Sequence, residues 1–144
     1  MNVADIISKN AVLDNVQVSN KRELIQSLAE KMASLCGLDE RTIFDAVWER
    51  ENLGSTGYGE GVAFPHARIE GLSKVCGMFA RLDDAVDFDA IDGKKVDLVF
   101  LLVSPENSGA DHLTAFSRIL KTEGSCEKLR KARSIDELYA VLNA

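Results

Sequence analysis

His66 closes the run Gly61-Val62-Ala63-Phe64-Pro65-His66, directly behind a segment, Gly54 to Gly61, in which four of eight residues are glycine. A histidine in that place suits phosphoryl chemistry. An ordinary imidazole has a pKa of about 6.5, so it is a nucleophile near neutral pH, and its nitrogens form covalent intermediates. A loop with few side chains offers backbone amides, and amides gathered in a bend make a concavity that binds anions. Pro65 fixes its own φ and drives Phe64 toward an extended backbone, so the histidine leaves a stiff segment. The residues alone leave a second reading open, in which His66 is a structural imidazole hydrogen-bonded at a strand end.

The second histidine, His112, falls in the first turn of an expected helix, four residues before Phe116 and seven before Ile119. That spacing turns it toward the protein, where it can support the first histidine through a hydrogen bond to a phosphate or a ring. Two histidines are too few for most zinc sites, unless Asp111 or Glu60 joins them; the expectation is a site without metal or cofactor. Arg50 shares a helix face with Ile43 and Val47 (i, i+4, i+7), so it leaves the helix end facing the protein or snorkels to solvent. Nucleotide motifs do not fit: Gly57-Tyr58-Gly59-Glu60-Gly61-Val62 lacks the last glycine of Gly-x-Gly-x-x-Gly, and no Gly-Lys-Ser/Thr follows.

The elements that must position these residues are legible from periodicity. Ala11 to Val18 reads as a first strand. Asn20 caps a helix with Glu23 as reciprocal partner; Leu24, Leu28, Met32 and Leu35 form its stripe and Gly37 ends it. Asp39 caps a second helix to about Glu51. The glycine segment is expected to be a shaped loop, since glycine disfavours helix and central strand. Val62 to Phe64 reads as a short strand ended by Pro65, and Val75 to Leu82 as another. Val96 to Val103, apolar on both faces, belongs in the middle of a covered sheet. Ser108 caps a helix with stripe Leu113, Phe116, Ile119 and Leu120. A short amphipathic piece spans Cys126 to Ala132. Ser134 to Glu137 is a capping box for a last helix whose core face is Ile135, Leu138 and Leu142. Strands and helices interleave, so the expected class is α/β in one domain over residues 1–144.

Composition narrows the function. The 144 residues carry 17 Lys and Arg against 23 Asp and Glu, a formal charge of −6, which argues against nucleic acid as a partner. No stretch approaches the roughly 18 apolar residues of a membrane span, and the N-terminus lacks the pattern of a signal peptide, so the expected location is the cytoplasm without membrane insertion. Cys36, Cys76 and Cys126 are odd in number and widely spaced, which fits small buried thiols rather than a disulfide framework.

Taken together, Glu49-Arg50-Glu51, Gly54-Ser55-Thr56-Gly57, Gly61-Val62-Ala63-Phe64-Pro65-His66-Ala67 and Ser108-Gly109-Ala110-Asp111-His112-Leu113 resemble the type-2 IIA domains of the bacterial phosphotransferase system, with their mannitol, fructose and nitrogen-regulatory members. The similarity spans the whole chain. It implies a mixed sheet of about five strands flanked by helices on both sides. It implies that His66 receives a phosphoryl group from a histidine phosphocarrier protein, that His112 assists it, that Arg50 binds the phosphate or holds the site, and that Ser55 and Thr56 line it. Phe64 and Tyr58 stand where aliphatic residues are common, and Ala67 where glycine is; these size changes leave the nucleophile untouched. A chain without an attached transporter domain leans toward the nitrogen-regulatory branch, with regulatory targets that the sequence does not name. The alternatives are a sugar-specific IIA component and, from another class, a small-molecule binding or metal-assisted hydrolase domain.

Overall fold

The computed structural model describes residues 3–109 and 111–143, and of Asp111 and His112 the backbone alone. Among the described residues one sheet of six strands lies among five α-helices. The strands are β1 (Val12–Val16), β2 (Gly57–Gly59), β3 (Val62–Ala63), β4 (His66–Ile69), β5 (Cys76–Val86) and β6 (Val96–Pro105). The helices are α1 (Lys21–Cys36), α2 (Glu40–Leu53), α3 (Asp111–Lys121), α4 (Ser125–Lys131) and α5 (Ile135–Leu142).

β6 is the hub. It pairs antiparallel with β5 and parallel with both β3 and β4, which lie one after the other along its other edge. The spatial order is β1-β5-β6-β3-β2, with β1 parallel to β5 and β2 antiparallel to β3. From Leu98 through Ser104 every residue of β6 is buried, so both faces of the strand are covered. α1 packs on β5 and α2 on β4, while α3, α4 and α5 form a second series that reaches β1 through α5. Phe79, Phe100 and Phe116 are fully buried and meet edge to face, with Phe100 centroids 5.0 Å from Phe79 and 5.5 Å from Phe116. Burying each such ring stabilises the fold by about 1.5–3 kcal/mol.

Local chemistry sets the helix ends. The Asn20 side chain accepts from Glu23 N at 2.8 Å and Gly37, at φ 73°, closes α1. The Glu23 carboxylate reaches back to Ser19 N rather than to the capping residue itself. Asp39 caps α2 and Ser134 caps α5. Four expectations need correction. Leu35 and Ile135 are 43% and 41% exposed and stand outside their stripes, at helix ends where the core has already turned away. Ser108 stands further from α3 than expected: the helix begins at Asp111, and the Ser108 hydroxyl donates to Pro105 O at 2.9 Å. The three thiols are half-buried rather than buried. The glycine segment is not all loop, because Gly57–Gly59 pairs at the sheet edge.

Candidate functional site

α2 delivers the first half of the site. Its last turn carries Arg50, half-buried, whose Nη1 donates to Gly54 O at 3.0 Å. The guanidinium therefore sits at a helix C-terminus, where positive charge is favoured. Next comes Glu51, 4% exposed, one turn beyond Val47 on the buried side of the helix. Its carboxylate accepts from Thr56 N at 2.9 Å and from the Thr56 hydroxyl at 2.6 Å, and it pairs with Lys21 Nζ at 2.8 Å. The Ser55 hydroxyl donates to Phe88 O at 2.6 Å and accepts from Gly57 N at 3.0 Å.

The chain then turns through β2 and β3. Glu60 and Gly61 have φ of 56° and 82° and close this hairpin. A Cβ on Gly57 would stand 2.7 Å from Ala90 Cβ and 2.9 Å from its Cα, which excludes larger residues sterically, while Gly61 is held to glycine by its φ of 82°. The amides of Thr56, Gly57 and Glu60 are taken by Glu51, Ser55 and Asp92, so at those three positions the expected concavity of free amides is closed from within. The two Asp92 bonds, from Glu60 N and from Lys94 N, hold its carboxyl below the usual range.

His66 opens β4, where pairing with Leu102 of β6 fixes its backbone. Its Nδ1 lies 2.8 Å from Phe64 O. A carbonyl oxygen only accepts, so the bond requires the proton on Nδ1 and leaves the Nε2 lone pair free. The half-buried Phe64 ring lies edge-on to the imidazole, centroids 5.7 Å apart, and packs on Phe116 at 5.3 Å and Phe100 at 6.4 Å. Phe116 belongs to the helix that carries His112, so one aromatic cluster braces both histidine-bearing segments. The His112 side chain lies outside the described residues. Arg68, two residues beyond His66, donates from Nη1 to Ser108 O at 2.6 Å and to Glu106 O at 3.3 Å. It ties β4 to the segment that leads into α3.

Of the expected site residues, the fold places Arg50, Ser55, Thr56 and His66 on consecutive, mutually packed segments, with α2 against β4. The two hydroxyls are engaged with Phe88 and Glu51. Glu60, weighed above as a metal ligand, pairs with Lys94 at 3.1 Å in the hairpin turn. Glu51 is a site residue beyond those expected from the sequence, where a carboxylate continuing the Ile43-Val47 stripe is the signal for it.

The match that this site and fold suggest holds over nearly the whole chain. Residues 5–144 match the family described as phosphoenolpyruvate-dependent sugar phosphotransferase system, EIIA 2, and the chain belongs to that family. A nitrogen regulatory protein of Bradyrhizobium diazoefficiens is 44% identical, covering 99% of this chain and 95% of the relative. A fructose-specific EIIA component of Haloferax volcanii is 37% identical over 86% of this chain and 83% of its own. The crystal structure of nitrogen regulatory protein IIA-Ntr from Neisseria meningitidis superposes with TM-score 0.91 at 33% identity, covering 97% of this chain and 98% of that one.

Proposed function

We propose that the chain carries a phosphoryl group on His66 Nε2, received from a histidine phosphocarrier protein, and acts in the cytoplasm as a regulator of the nitrogen-related kind through its phosphorylation state. One observation supports the chemistry above the others: the Nδ1 bond to Phe64 O, which leaves Nε2 as the nucleophile. In the step itself the Nε2 lone pair forms a bond to phosphorus. The bond between phosphorus and the carrier's imidazole nitrogen breaks, and its electron pair stays on the carrier. Positive charge developing on the His66 ring is shared with the Phe64 carbonyl, and a hydrogen bond to such a charged group contributes about 1.5–3 kcal/mol. Arg50 supplies cationic charge for the phosphate oxygens. His112 assists from the α3 side. Ser55 and Thr56 line the site by shaping the loop, their hydroxyl protons being used inside the fold. No metal or cofactor takes part in the reading.

Incubation with a phosphorylated histidine carrier is expected to add one phosphoryl group, read by mass spectrometry, and His66→Ala is expected to add none. Uptake by His66→Ala at the native rate would sink the reading. The likeness to a fructose-specific component keeps a sugar-transport role as the second reading. Sugar-dependent loss of the phosphoryl group with a transporter subunit present favours that one. No helix among the described residues is long and apolar enough to cross a membrane.

A further inference from the structure

We propose that Glu51, paired with Lys21, is a positioning residue for His66. It grips Thr56 at two points, the backbone amide at 2.9 Å and the hydroxyl at 2.6 Å. Thr56 O accepts from Phe64 N at 2.9 Å. Phe64 O in turn accepts from His66 Nδ1 at 2.8 Å. The links run without a gap from a buried carboxylate to the imidazole.

Why the carboxylate is there follows from what it orders. An apolar residue at this place would extend the Ile43-Val47 stripe at no desolvation cost. It would also strand the Thr56 amide and hydroxyl, in a residue that is 8% exposed, without an acceptor. A lone buried carboxylate is costly, and Lys21 offsets that cost: its side chain is 15% exposed and its ammonium stands 2.8 Å from Oε1. The same ammonium lies 4.7 Å from the Phe88 ring centroid and 3.5 Å from Phe88 O. The Ser55 hydroxyl binds that same Phe88 O, so both residues of the Ser55-Thr56 pair are held from beneath by one assembly. Thr56 is then not free to rotate, and the Phe64 carbonyl keeps its aim at Nδ1. The Glu51 carboxylate is bonded to Thr56 and Lys21 and not to the imidazole. It acts by fixing which ring nitrogen holds the proton and where the other points.

The first test needs no phosphoryl donor. In 15N-labelled protein at a pH where an ordinary imidazole is neutral, the native His66 ring is expected to show a protonated Nδ1 and an unprotonated Nε2, the signals assigned by their loss in His66→Ala. In Glu51→Ala both nitrogen shifts are expected to move toward those of an exposed histidine, with Glu51→Gln, which keeps one acceptor for Thr56, in between. If Glu51→Ala does not fold, Thr56→Val removes the hydroxyl link and keeps the amide, and is expected to move the shifts in the same direction. Native shifts in Glu51→Ala, or in Thr56→Val where Glu51→Ala fails to fold, overturn the proposal. The second test rests on the phosphoryl-acceptor reading: with a phosphorylated histidine carrier, kcat is expected to fall about tenfold or more while KM for the carrier stays within about twofold. A raised KM with native kcat overturns the proposal. Phosphoryl uptake by His66→Ala overturns the acceptor reading instead, and the ring-nitrogen measurement then decides on Glu51 alone.

Discussion

Phe64 shows how much of this site depends on single side chains. Its carbonyl accepts a hydrogen bond from His66 Nδ1 while its ring is wedged between the imidazole and the buried Phe100 and Phe116. Phe64→Ala is expected to lower stability by about 2–3 kcal/mol in chemical denaturation and to slow phosphoryl uptake, because the carbonyl loses its anchor. Phe64→Leu, which refills most of the volume, is expected to recover most of both. Gly61→Ala is expected to cost about 1–3 kcal/mol, since a Cβ would meet a left-handed φ of 82° and the Arg130 guanidinium at 2.5 Å. His66 stood out in the sequence as the candidate acceptor, because only two histidines occur and this one follows a proline and a glycine-rich run. Glu51 did not. Acidic residues lie on the surface by default, and nothing in the local sequence says that Lys21, from a different helix, comes to meet this one.

Among the elements, the helices could be read and two of the strands could not, for a physical reason. Asn20, Asp39 and Ser134 cap their helices through bonds to residues three positions on, so the signal is local. β2 and β4 are three and four residues long and owe their existence to β3 and β6, partners that periodicity cannot see. The contacts that join elements are equally non-local. Arg68→Ala is expected to speed amide hydrogen exchange in residues 106–109, as the carbonyls of Glu106 and Ser108 lose their guanidinium, with little change in global stability. Arg81 binds four partners at once: the Asp14 carboxylate at 2.7 Å, the carbonyls of Leu129 and Ala132, each also at 2.7 Å, and that of Arg130 at 3.4 Å. It thereby joins β5, β1 and the end of α4. Its hydrogen bonds hold the Asp14 carboxyl below the usual carboxylate range. A depressed folded-state pKa means that this stabilisation is present above the unfolded value of about 3.9 and is lost as pH falls through the folded one. Asp14→Asn is expected to cost about 2–3 kcal/mol at neutral pH and to flatten the loss of stability below about pH 4, as thermal melts across that range would show.

At the scale of the whole molecule the charge of −6 is the first feature to act. On the proposed function, phosphorylation adds about −1.5 to −2 more. A partner that approaches a chain of this net charge meets a negative field, which favours a basic rim. Association with the carrier is expected to slow by about tenfold between low and high salt, measured by stopped-flow, while the transfer step itself stays unchanged. The sheet adds a kinetic consequence. β5 and β6 are neighbours in the chain and pair over most of their length, whereas β1 reaches β5 from far upstream, and β3 and β4 can dock only on a β6 already in place. The β5–β6 ribbon is therefore expected to form the early nucleus of folding, and the histidine strand to join it late. A chevron analysis of Phe64→Ala is expected to show an accelerated unfolding limb beside a nearly native folding limb. The segment that carries His66 can then change without slowing the chain's route to its fold.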